Sequence, residues 1–153
     1  MVIGMSDAIA PVSRASKSRA ACQCQWTGRA AVAWAILFAA PHLWWALGVP
    51  TGFPGGAAGL EEALAVPWFV AYDLLVVALS GAAALAALAA VRPRPVRVPL
   101  AWGICLVLLA RGVAGLAVDG LADLVWNPMF VIGGLLFGAT AWLCGRSAPG
   151  LTP

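Results

Sequence analysis

Apolar residues in this chain do not alternate with polar ones at a helical or strand period. They fall instead into four long blocks, at 30–47, 66–91, 98–118 and 129–145. Each is near the roughly 20 residues that a helix rising 1.5 Å per residue needs to cross a bilayer, the last being the shortest. The stretches between them, "GVPTGFPGGAAGLEEALA", "RPRPVR" and "DGLADLVWNP", carry the prolines, glycines and charges of connections. Apolar residues occupy every face of each block, so periodicity alone does not separate helix from strand. In lipid, however, a segment this long must satisfy its own backbone hydrogen bonds, which predicts helices.

Composition decides the solvent. The chain is 63% hydrophobic and 10% charged, whereas a globule in water needs about a quarter of its residues charged to cover its surface. Lipid must therefore replace water around most of the surface. The expected fold is all-α: a four-transmembrane-helix bundle at 29–146, with a disordered cytoplasmic tail at 1–28 and a short cytoplasmic tail at 147–153. No apolar run precedes a small-residue cleavage site in the first 28 residues, so no cleaved signal peptide is expected.

The charges then orient the bundle. Arg14, Lys17, Arg19 and Arg29 precede the first block, Arg92, Arg94 and Arg97 lie between the second and third, and Arg146 follows the fourth. Eight of nine basic residues thus share one side, while Glu61, Glu62, Asp119 and Asp123 mark the other. The positive-inside rule puts both termini and "RPRPVR" in the cytoplasm. Trp44, Trp45, Trp68 and Trp126 near the outer ends, with Trp26, Trp102 and Trp142 near the inner ends, match interfacial aromatic belts. The expected location is the bacterial plasma membrane, with membrane lipids as neighbours and a homo-oligomer or a membrane partner as the conceivable protein contact. Three arginines in "RPRPVR" are accounted for by topology, and nothing points to nucleic acid.

Three ionisable residues break the apolar blocks: His42 behind Pro41 in the first, Asp73 in the second and Arg111 in the third. Counted from the outer ends of their blocks, each lies roughly 9 to 10 Å deep, so all three reach one level in the outer half of the bilayer. A lone Arg or Asp at a helix centre costs on the order of 3 kcal/mol by insertion scales. Asp73 and Arg111 are therefore expected to face each other across the second and third helices, with His42 sharing the site and Tyr72 and Asn127 as further members of a cluster open toward the outer side. Two readings stand side by side: a charge pair that fixes which helices pack, and a site for a ligand or for protons. One histidine with no second ligand at helical spacing does not support zinc or haem, so no metal and no cofactor are expected.

Other features are weaker. Gly133, Gly134 and Gly138 give the fourth block a smooth face, for packing within the chain or for a dimer. Cys22 and Cys24 form a C-x-C before the first block, Cys105 is mid-membrane and Cys144 lies near the inner end of the fourth, so structural disulfides are not expected. The loop at 49–65 is long enough to lid a polar site, and "GLEEALAV" suits one interfacial helical turn before Pro67. No phosphate loop, serine elbow or paired catalytic carboxylates occur.

At "HLWWALG" and "WNPMFVIGGLLFG" the chain resembles a domain-of-unknown-function family of small four-helix membrane proteins found widely in high-GC bacteria. In that family a His and a Trp at the end of the first helix lead into a "WALGG"-type turn, and a Trp-x-Pro segment opens a last helix with paired glycines. The matching positions are His42, Trp45, Gly48, Trp126, Pro128, Gly133 and Gly134, within a resemblance covering roughly residues 30 to 145. Val49 stands where a second glycine is usual. The resemblance implies the architecture and no activity.

The first functional expectation is a non-enzymatic membrane protein that binds a small amphiphile or a partner protein at the outer-leaflet cluster. The second is a small proton-coupled carrier or transport accessory subunit. The third is a membrane-embedded lipid enzyme using His42, Asp73 and Arg111 for acid and base chemistry.

Overall fold

The computed structural model describes residues 10–91, 98–119 and 125–147. Within them the chain is entirely helical between its turns: α1 Ala10–Ala46, α2 Gly56–Leu64, α3 Phe69–Ala90, α4 Val98–Asp119 and α5 Trp126–Ser147. The expected all-α class holds, and α3, α4 and α5 are each long and apolar enough to cross a membrane. The apolar part of α1 is diluted by Arg29, Pro41 and His42 and does not stand among those three. The fourth block, read as short, is a full 22 residues in α5. The "RPRPVR" turn and residues 120–124 lie outside the described residues, as do 1–9 and 148–153 of the expected tails.

One expected boundary is corrected. Helix α1 does not begin near residue 29 but at Ala10, and runs for 37 residues, so 10–28 is not a disordered tail. Among its described side chains the buried positions are Cys24, Gly28, Ala31, Trp34, Ala35, Phe38, His42 and Trp45, steps of mostly three and four that trace one helical stripe. The sequence hides this stripe because the opposite face is apolar too, with Leu37 and Leu43 exposed.

A second correction follows from the first. Cys24 and Cys144 form a disulfide between α1 and α5, with their Cα atoms 5.0 Å apart. A disordered tail gave no reason to bring Cys24 to α5; a helix continuing the buried stripe does. Cys22 stays free and exposed, and Cys105 free and buried.

Helix α1 ends at Gly48 in a left-handed conformation, φ +79°. Val49 N–H donates to the Trp44 carbonyl at 2.8 Å and Gly48 N–H to the Trp45 carbonyl at 2.9 Å, the paired bonds of a Schellman cap. Only Gly48 needs the positive φ, so Val49 can replace a second glycine without strain. The loop then folds back on the helix. Trp45 Nε1 donates to the Thr51 carbonyl at 3.1 Å, and Phe53 sets its edge against Trp45 at 5.3 Å and Phe69 at 5.8 Å. The expected single helical turn is nine residues long, α2, which buries Leu60 and leaves Glu61 and Glu62 exposed.

Helix α1 packs along α3 and α5, and α4 packs along α5, while α3 and α4 barely touch. The shared core is Ala31, Trp34, Ala35 and Phe38 of α1 with Ala83 and Ala87 of α3, Cys105 of α4 and Phe137 of α5. Glycines set the close approaches. A Cβ on Gly133 would enter the Trp34 ring; one on Gly134 would lie 2.7 Å from Leu109, and one on Gly138 2.9 Å from Cys105 Sγ. The glycine face of α5 is thus occupied by α1 and α4 of the same chain. Large apolar side chains such as Leu37, Leu85, Leu106, Val113 and Val118 point outward, each more than half exposed, a surface that only lipid tolerates on this scale.

Candidate functional site: a lateral groove with a polar end

His42 lies on the buried stripe of α1, two helical turns beyond Trp34 and one beyond Phe38. Its ring is enclosed by Phe38 at 5.3 Å, Trp45 at 5.2 Å and Trp126 at 6.0 Å. Its partner is Asp73 on α3: Nδ1 lies 2.8 Å from Oδ1. A carboxylate accepts and does not donate, so Nδ1 carries the hydrogen and the other ring nitrogen, Nε2, is left for other use. Asp73 is only 1% exposed, and its Oδ2 is sealed without a hydrogen-bond partner. A sealed, unpartnered acceptor costs about 1 to 3 kcal/mol, so the His42 bond is what holds this carboxyl in place.

The expected Asp73–Arg111 pair is not formed. Asp73 is hydrogen-bonded to His42, whereas Arg111 donates from Nη1 to Asn127 Oδ1 at 3.2 Å and sets its guanidinium 5.0 Å above the Phe130 ring. The reason is the packing order. Helix α3 lies against α1 rather than α4, so its buried acid meets the polar residue of α1. Gly115, one turn beyond Arg111, makes room for the second contact: a Cβ there would lie 2.5 Å from Arg111 Nη1. Asn127 is fully buried, while Tyr72 is about half exposed at 49%. The structure therefore splits the expected cluster into a His42–Asp73 pair and an Arg111–Asn127 pair, with Tyr72 at the rim.

The weak contact between α3 and α4 leaves a groove of about 470 Å³, within the range of small-molecule sites. One wall runs from Tyr72 to Ala83 on α3, the other from Arg111 to Leu100 on α4. Each wall spans twelve residues, about 16 Å of helix from first to last. Trp34, Phe38 and His42 of α1 and Phe130 of α5 form the floor. Because α3 and α4 run in opposite directions along the groove, Tyr72, His42 and Arg111 gather at one end. Ser80 aside, the rest of the lining is apolar side chains and Gly103.

Of the floor, His42 was legible in the sequence and Trp34, Phe38 and Phe130 were not. Trp34, Phe38 and His42 recur at a spacing of four, a stripe visible in principle had helix rotation been known. Gly115, four residues after Arg111, was a second available signal. Among the described residues no group of three or more His, Cys, Asp or Glu side chains could hold a metal ion. No family model matches the chain, and comparison with curated proteins and with solved structures finds no significant relative.

Proposed function

We propose that this chain is a four-span protein of the bacterial plasma membrane, with both termini cytoplasmic, that binds a membrane amphiphile in the groove between α3 and α4. The reading makes α1 the fourth span and keeps the resemblance to the small four-helix family as its architectural frame. The observation that carries it is the groove itself, about 16 Å long, polar at one end and largely apolar along the rest, between two helices whose outer faces suit lipid. An acyl chain can enter such a groove sideways from the bilayer, without passing a polar barrier. The head group then lies beside His42, Tyr72 and Arg111, in the outer half of the membrane under the proposed orientation. The role is binding rather than catalysis, since the groove lining offers a single imidazole and no nucleophile beside it.

A test uses Gly103, where an added Cβ meets nothing within 4 Å. Gly103→Trp carries an indole into the groove from a position where the Cβ itself meets no protein atom. Native mass spectrometry of the purified protein should show a bound amphiphile that this variant loses at unchanged thermal stability. Equal occupancy in both proteins would count against the groove.

One observation favours a second reading. The His42–Asp73 contact places an imidazole held by a carboxylate on the groove wall, an arrangement suited to proton-coupled movement of the bound molecule. Asp73→Asn should then abolish a pH-driven flux in proteoliposomes while amphiphile binding persists.

A further inference from the structure

Resting on the reading of the groove as an amphiphile site, we infer that its ligand carries an acidic head group, a carboxylate or a phosphate, held between Arg111 and His42. Arg111 lies within the apolar length of α4, and among the described residues no carboxylate stands within ion-pair distance of it. Its recorded contacts are to the neutral amide of Asn127 and the face of Phe130. A guanidinium has five N–H donors, so most of its hydrogen-bonding capacity points elsewhere. Asp73, the acid buried on α3, is engaged by His42 and its Oδ2 is sealed. A cation at membrane depth with no carboxylate beside it among the described residues is stabilised by an oxyanion that arrives with the ligand, and the planar guanidinium suits both carboxylate and phosphate.

His42 supplies the second contact. Asp73 takes Nδ1–H, which fixes the tautomer of the neutral ring and leaves the lone pair on Nε2. No hydrogen bond uses Nε2 among the described residues, and His42 lines the groove. An acid entering from the lipid in its neutral form gives its proton to Nε2, which then donates that same hydrogen to the oxyanion left behind. The charges close within the site. The Arg111 and His42 cations balance the Asp73 carboxylate and the singly charged head group. Phe38 and Phe130, 5.0 Å apart, carry the two contacts on one aromatic floor, His42 beside Phe38 and Arg111 over Phe130.

The apolar length behind this head site takes one acyl chain. The wall positions Leu75, Leu79, Ile104 and Val107 offer it no hydrogen-bonding group. Any second chain of a diacyl lipid stays in the surrounding bilayer. Specificity therefore comes from the acid and not from the number of chains.

The experiment measures binding of four palmitoyl amphiphiles to the full chain by native mass spectrometry: palmitate, lysophosphatidate, lysophosphatidylcholine and monopalmitoylglycerol. Inorganic phosphate serves as a headgroup without a tail. Palmitate and lysophosphatidate should bind at least about tenfold more tightly than the neutral glyceride, a ratio equivalent to about 1.4 kcal/mol, and the two acids distinguish carboxylate from phosphate. Phosphate alone should not bind. Arg111→Gln, which keeps a donor for Asn127, should erase the preference for acids while the glyceride still binds, and Arg111→Lys should restore part of it. Equal affinity for acidic and neutral amphiphiles in the unmodified protein would overturn the acidic head group and leave the groove reading intact. If no amphiphile binds and Gly103→Trp changes nothing, the groove reading falls as well. Tight binding of phosphate alone would overturn the claim that the acid comes attached to a lipid chain.

Discussion

Nδ1 of His42 and Oδ1 of Asp73 lie 2.8 Å apart, joining α1 to α3 at a point where the carboxyl is sealed and has no other hydrogen-bond donor. This contact defines which face of α3 turns inward. It also separates Asp73 from Arg111, although both sit at one level of the sequence's apolar blocks.

Replacing Asp73 should therefore report on His42. Asp73→Leu removes the acceptor and leaves the His42 Nδ1–H buried without a partner, which should cost about 1 to 3 kcal/mol, whereas Asp73→Asn keeps an acceptor for Nδ1 and should cost clearly less. In a double-mutant cycle on unfolding in mixed micelles, His42 and Asp73 should couple by about 0.5 to 3 kcal/mol and Asp73 with Arg111 by less than about 0.5 kcal/mol. A strong Asp73–Arg111 coupling would contradict the observed pairing.

Two glycines should respond oppositely to alanine. Gly133→Ala drives a methyl group into the Trp34 ring, which is held by its Nε1 bond to the Met129 carbonyl at 3.1 Å. Overpacking of this kind costs about 1 to 3 kcal/mol. Gly103→Ala meets open space and should be neutral or stabilise by up to about 1 kcal/mol through helix propensity. Thermal unfolding of the two variants checks the contrast.

The Cys24–Cys144 bond closes a sequence separation of 120 residues. Cross-links over long loops typically stabilise by about 2 to 4 kcal/mol. Reduction with dithiothreitol, or Cys24→Ser, should lower the midpoint of thermal unfolding, and Cys22→Ser should leave it unchanged. Equal midpoints with and without reductant would show that the cross-link does not constrain the unfolded chain.

Cys22 also tests the proposed orientation, because it is exposed and lies between Arg19 and Arg29. A membrane-impermeant maleimide should leave it unlabelled in intact spheroplasts and label it after permeabilisation. Charge asymmetry and the disulfide pull in opposite directions here, since the cytoplasm is reducing. Labelling from outside would reverse the orientation and place the Cys24–Cys144 bond on the oxidising side.

The sequence by itself determined the class of the molecule. A chain 63% hydrophobic and 10% charged, with apolar blocks near bilayer length, must be helical in lipid because no other open structure satisfies its backbone there. It also singled out His42, Asp73 and Arg111 as the ionisable residues inside those blocks, and it marked Gly133, Gly134 and Gly138 as a packing face. What it left undecided was rotation. With apolar side chains on every face, nothing in the pattern tells which side of a helix turns inward, so depth could be counted but partners could not. The tertiary packing of α3 on α1 instead of α4 decided that Asp73 meets His42, gave Arg111 to Asn127, and opened the groove between α3 and α4. The same limit hid the length of α1. Its stretch at 10–28 is too polar to read as a membrane span, and its helix and its Cys24 link become visible only where α5 and α3 pack against it.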